Sequence, residues 1–163
     1  MRKFFLFIAI SMSLSVFSQI KWNQAYQQYV DQYKDIAIEQ MQRYRIPASI
    51  TLAQGLLESG AGRSELTRTS NNHFGIKCNN GWEGRRTYHD DDQRNDCFRV
   101  YDSAYDSYED HSKFLAANQR YRSLFQLKTT DYKGWARGLK AAGYATNPVY
   151  AEKLIEIIQL YKL

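Results

Sequence analysis

The sequence predicts an α+β fold that is mainly α-helical. Apolar residues recur at spacings of three and four through most of the chain beyond residue 24, which is the period of a helix with one buried face. Only residues 82–101 offer plausible strands. The 163 residues suit one domain, with no internal repeat, low-complexity tract or long linker.

The first residues stand apart from that domain. Arg2 and Lys3 form a basic start, Phe4 to Val16 is an apolar run, and Val16-Phe17-Ser18 places small or apolar residues before a break at Gln19. Residues 1–18 therefore read as a secretory signal peptide. The alternative is a membrane anchor, but the apolar run is short for the roughly 20 residues of a span. The expected mature domain is 19–163, in the periplasm, the cell envelope or outside the cell.

The helices follow in order. Tyr26, Tyr29, Val30, Tyr33, Ala37, Met41 and Tyr44 place one helix over residues 24–45. Pro47 can start the next, which runs to about Ser59. Ala48, Ile50, Leu52, Ala53, Leu56 and Leu57 make it apolar on most sides, as in a central, buried helix. Gly60 and Gly62 end it, and a short turn follows near Ser64 to Arg68. Strands are expected at Arg86 to His89 and Cys97 to Tyr101, joined by the polar run Asp90 to Asp96. Ser103 can cap a helix from Ala104 to about Asn118. Another helix spans about Asp131 to Ala142. The last begins at Asn147-Pro148, an N-cap followed by proline.

Charge and rare residues narrow the function. The formal charge is +5, and loss of Arg2 and Lys3 leaves +3. That mild excess favours an anionic polymer such as a cell wall, and without a Lys/Arg stripe it gives no support to nucleic acid. His73, His89 and His111 are isolated and lack metal-ligand spacing, so neither a metal nor another cofactor is implied. In an exported chain, Cys78 and Cys97 are candidates for one disulfide that could staple the hairpin. The alternative is two free thiols.

Glu58 is the first candidate for chemistry. It closes an apolar helix, where desolvation and the negative end of the helix dipole both favour a protonated carboxyl. A protonated Glu in a cleft is what protonation of a glycosidic oxygen requires. Gln54 lies one turn earlier on the same face. The plain alternative is a surface Glu paired with Arg63 or Arg68. Asp90, Asp91 and Asp92 are the second candidates: one can act as the base of a two-carboxylate hydrolase, or all three can belong to a solvated turn. Phe74, Trp82, Tyr88, Tyr144 and Tyr150 fall in or beside loops and helix starts, where rings can stack on sugars.

Several segments together resemble one family. They are Leu52-Ala53-Gln54-Gly55-Leu56-Leu57-Glu58-Ser59-Gly60, Asn72-His73-Phe74-Gly75-Ile76-Lys77 and Phe98-Arg99-Val100-Tyr101-Asp102-Ser103. Asp110-His111-x-x-Phe114-Leu115 follows, then the run Trp135 to Thr146 with its Gly143-Tyr144-Ala145-Thr146 end, and Tyr150-Ala151-x-Lys153-Leu154-Ile155. Their order resembles the glucosaminidase domain of family 73 glycoside hydrolases, over roughly residues 35–163. The resemblance implies a lysozyme-like helical lobe with a small β-hairpin lobe beside an active-site cleft. It implies an endo-β-N-acetylglucosaminidase that cleaves peptidoglycan glycan strands between N-acetylglucosamine and N-acetylmuramic acid. Glu58 matches the general acid, Tyr144 a tyrosine near it, and Asp92 the β-lobe carboxylate, with Asp90 and Asp91 as alternatives. With the loop aromatics, these segments make Gln54, Asn72, Phe74, Gly75, Lys77, Trp82, Asp91 and Tyr150 the substrate-binding candidates. A muramidase or lytic transglycosylase of the same fold, a silent wall-binding module and a helical envelope protein without a glycan role remain the competing readings.

Overall fold

The computed structural model describes residues 19–78, 81–91 and 94–163. The expected signal peptide, Asp92 and the Asn79-Asn80 pair lie outside these residues. Six α-helices, one 3-10 helix and a two-stranded antiparallel sheet make up the described fold. None of the described helices is long and apolar enough to cross a membrane.

Helix α1 (Gln24–Tyr44) starts where the Asn23 side chain accepts from Tyr26 N, and it ends at Arg45 with φ 62°. Its first turn is tied to the other end of the chain, because the Tyr161 hydroxyl accepts from Asn23 N at 2.9 Å. Helix α2 (Ala48–Glu58) follows Pro47, which occupies the cap position itself. Seven of its eleven residues are buried, among them Ile50, Ala53 and Leu56 with no exposed surface. Burying apolar side chains on nearly every face makes α2 the pillar around which α1, α5 (Tyr132–Ala141) and α6 (Tyr150–Tyr161) pack.

A left-handed turn stops α2. Gly60, Ala61 and Gly62 have φ of 57°, 58° and 75°, a conformation that costs glycine little and alanine more. Ser59 holds the turn: its hydroxyl donates to Gly55 O at 2.6 Å and accepts from Gly62 N at 2.7 Å. Glu58 is thereby the last residue of a buried helix, at the edge where the chain reverses. The short α3 (Glu65–Ser70) is capped by Ser64.

The loop after α3 is fixed from beneath by a buried polar chain. Tyr108 of α4 (Ala104–Ala117) donates to the Tyr29 hydroxyl at 2.9 Å, which leaves the Tyr29 proton for His73 Nδ1, also at 2.9 Å. His73 N donates to Ser107 Oγ. Burial pushes the His73 imidazole down to about 4, so it stays neutral and can accept. Gly55 faces this chain, and an added Cβ there would meet the Tyr29 hydroxyl at 2.6 Å and the Tyr108 hydroxyl at 3.0 Å. Gly55→Ala is therefore expected to destabilise by about 2 kcal/mol through overpacking, despite alanine's better helix propensity. An unshifted thermal midpoint would mean that the hydroxyl chain yields at no cost.

The sheet pairs β1 (Arg86–His89) with β2 (Asp96–Arg99), in the register Arg86 with Arg99 and His89 with Asp96. The second strand lies one to two residues earlier than its apolar run suggests. It pairs on its other side too: Cys78 N donates to Cys97 O, and Arg99 N to Ile76 O. The disulfide Cys78–Cys97 thus fastens segment 76–78 to β2 rather than joining the two hairpin strands. Asn72 completes the junction, with its side chain donating to Ile76 O and Arg99 O and accepting from Ile76 N. Arg99 in turn grips Asp110 of α4 at 2.9 and 3.1 Å.

Two further features differ from the sequence reading. Residues 119–126 form a 3-10 helix whose buried Tyr121 and Leu124 are three apart, the repeat of that helix. The last helix begins at Tyr150, not at Asn147-Pro148. Asn147 instead closes a turn, with its side chain accepting from Val149 N and its carbonyl from Tyr150 N.

Candidate active site

Two cavities of about 600 and 390 Å³ meet at Glu58, Asp91 and Tyr144. Together they form one cleft with two arms. The larger arm runs between the hairpin lobe and the 3-10 helix and is lined by Phe74, Gly75, Lys77, Phe98 and Arg120 among others. The smaller runs over the start of α6 and is lined by Tyr150, Asn147 and Lys153 among others.

Glu58 opens onto the cleft on one side, while the walls crowd its carboxyl on the others. That crowding raises the carboxyl to about 7, with the charge on Asp91 pushing the same way. The Tyr150 hydroxyl opposes the rise by donating to Glu58 Oε1 at 3.0 Å, a bond that favours the ionised form. Behind it, the fully buried Gln54 donates from Nε2 to the Tyr150 hydroxyl at 2.9 Å. Accepting from Gln54 aims the Tyr150 proton at Glu58. With Oε1 so occupied, Oε2 is the oxygen left to carry a proton into the cleft. Tyr144 stacks on Tyr150 with ring centres 5.8 Å apart and covers the same end of the site.

Asp91 faces Glu58 from the hairpin lobe. Its carboxylate accepts from Lys77 Nζ at 3.0 Å, and Lys77 also reaches Asp96 at 2.9 Å. Asp90 turns back on its own loop and accepts from Asn95 N at 2.8 Å. Lys77 follows the Asn72–Ile76 junction, so the disulfide and Asn72 set where Asp91 stands.

The sequence candidates therefore separate by place. Glu58, Asp91, Tyr144, Tyr150, Phe74, Gly75 and Lys77 line the cleft. Gln54 and Asn72 do not; both are buried behind its walls, with their amides bonded to Tyr150 and to backbone. Trp82 is also off the cleft. It packs against the Arg99 guanidinium at 4.6 Å and edge-on to Tyr101, and its indole donates to Arg85 O. Asp92 is outside the described residues. The sequence reading missed Arg120, Tyr121 and Phe114 in the larger arm and Lys153 in the smaller. Tyr121 carried a usable signal in its spacing of three from Leu124, whereas Arg120 carried none.

Tyr150→Phe is expected to lower turnover about tenfold, because the acid loses the donor that orients it. The alkaline limb of the pH–rate profile should move to higher pH, since a bond that favours the charged carboxylate is gone. A limb that moves down would contradict this assignment.

Comparisons with known proteins bear on residues across this cleft. A family model described as mannosyl-glycoprotein endo-beta-N-acetylglucosaminidase matches residues 34–163. The peptidoglycan hydrolase FlgJ of Vibrio parahaemolyticus is 32% identical over 142 residues, covering 80% of this chain and 46% of FlgJ. The exo-glucosaminidase LytG of Bacillus subtilis is 31% identical over 150 residues, covering 84% of this chain and 52% of LytG. The match thus spans about half the length of these relatives. Among solved structures, the glycoside hydrolase domain of Salmonella typhimurium FlgJ superposes with a TM-score of 0.69 at 31% identity, over 84% of this chain and 88% of that one. A peptidoglycan hydrolase from Sphingomonas sp. A1 gives 0.71 at 32% identity, over 81% and 86%. Family match, sequence identity and shared architecture coincide over the helices and hairpin that build the cleft, and the chain belongs to the glucosaminidase family.

Proposed function

We propose that the chain is an exported peptidoglycan hydrolase, an endo-β-N-acetylglucosaminidase cleaving the β-1,4 bond between N-acetylglucosamine and N-acetylmuramic acid. The observation that carries this reading is Glu58, held protonated to about 7 where the two arms of the cleft meet. Glu58 Oε2 gives its proton to the glycosidic oxygen as the bond to the sugar C1 breaks. Water adds its oxygen to C1 and yields its proton to a hairpin carboxylate, for which Asp91 is the described residue facing Glu58. The substrate's own acetamido oxygen can take the first place at C1 instead, and water then opens that intermediate.

Arms on both sides of Glu58 leave room for sugars on both sides of the bond, which favours internal cleavage over removal of terminal sugars. The names of the relatives support the cell-wall substrate, and work on a wall requires export. The deciding experiment is digestion of purified peptidoglycan with mass analysis of the products. Reducing-end N-acetylglucosamine on internal fragments supports the reading. Reducing-end or anhydro N-acetylmuramic acid would instead assign a muramidase or a lytic transglycosylase. Comparing Asp91→Asn with Asp92→Asn identifies the base, and full activity in both would favour the acetamido route.

A further inference from the structure

Each arm of the cleft is lined by a cation that the chemistry above does not use. In the larger arm it is Arg120, at the start of the 3-10 helix. In the smaller it is Lys153, in the first turns of α6. Neither forms an ion pair among the described residues, whereas Lys77 in the same cleft is held by Asp91 and Asp96. Arg120 is not free to wander: its guanidinium lies over the ring of the buried Tyr121 at 4.9 Å, and Asn118 Oδ1 accepts from its backbone N. Lys153 is half-buried and lines the smaller arm together with Asn147.

Where the arms meet, Glu58 holds its proton to about 7 and Asp91 is paired with Lys77. An anionic strand is attracted by the cation of each arm. A neutral glycan gains no Coulomb attraction from either. We propose that Arg120 and Lys153 are carboxylate contacts, one on each side of Glu58, and that they select a glycan bearing a carboxylate on alternate sugars over an uncharged one. This inference rests on the peptidoglycan reading and adds to it which residues read the charge. A planar guanidinium can take a carboxylate through two parallel bonds, and an ammonium takes it as a point charge. The carboxylate has two possible sources, the lactyl group of muramic acid or the peptide attached to it.

The test separates binding from turnover by using the full chain with Glu58→Gln. Three soluble tetrasaccharides serve as probes: a peptide-bearing glycan, the same glycan stripped to its lactyl carboxylates, and a neutral N-acetylglucosamine tetramer. Arg120→Gln and Lys153→Gln should each weaken binding of a carboxylate-bearing probe about three- to tenfold, and binding of the neutral tetramer by less than about twofold. The loss should shrink at high salt. A loss confined to the peptide-bearing probe assigns the contact to the peptide, and one confined to the stripped probe assigns it to the lactyl group. Equal losses on all three probes, or none on any, would overturn the proposal. Hydrolysis of whole peptidoglycan by the wild type is a separate readout, so failure of the enzymatic reading is distinguishable from failure of this one.

Discussion

Glu58→Gln is expected to reduce release of new reducing ends from peptidoglycan by about a thousandfold, the range a positioned general acid supplies. Glutamine keeps the length of the side chain and can still accept from Tyr150, but it cannot give up a proton to a leaving oxygen. The same substitution has a predictable effect on stability. In the unfolded chain a glutamate loses its proton near 4.3, whereas folded Glu58 holds it to about 7. Between these values the unfolded state binds fewer protons, so the wild type loses stability as pH rises through about 7. Glutamine removes that dependence. Thermal unfolding should therefore show the variant gaining on the wild type between pH 5 and pH 8. An inactive variant whose midpoint parallels the wild type at every pH would place Glu58 in the reaction but deny the cost of its charge.

The second large effect concerns the staple. Replacing Cys78 and Cys97 by serine opens a loop of 19 residues in sequence separation, and the chain-entropy relation gives a loss of about 3 kcal/mol. Chemical denaturation with and without reductant measures it. Activity should fall more than stability requires, because the staple aligns segment 76–78 on β2 and so sets Lys77 and its partner Asp91. If reduction leaves both the denaturation midpoint and the rate unchanged, the paired backbone hydrogen bonds hold the lobe by themselves.

Much of the helical frame was legible because its physics is local. The apolar spacing of α1 and α2, the Ser103 cap and the glycines after Glu58 each state a boundary within a few residues, and the structure places them there. Asn147-Pro148 misled for the same reason. As a local signal it starts a helix, but its side chain closes a turn that brings Tyr150 against Glu58, a contact 92 residues apart in sequence. Gln54 was legible as a residue of the Glu58 face, but not as the buried donor behind Tyr150. Asn72 and Trp82 were legible as polar and aromatic loop residues, which says nothing about which side of a hairpin they serve. Their roles rest on β2, on Arg99 and on Asp110, partners that only the folded chain assembles.

The division of labour between the lobes also bears on engineering. The two buried apolar clusters draw on the helices and on Ile46, Phe74 and Ile76, and on no residue of the β1–β2 hairpin. The hairpin is attached through the disulfide, the Asn72 junction and the Arg99–Asp110 clasp. A graft that keeps those three anchors and the Asp90–Asp92 carboxylates can therefore replace residues 82–89 without reopening the interior. Exchanging that segment between relatives is a route to re-targeting the enzyme while its folding module stays constant.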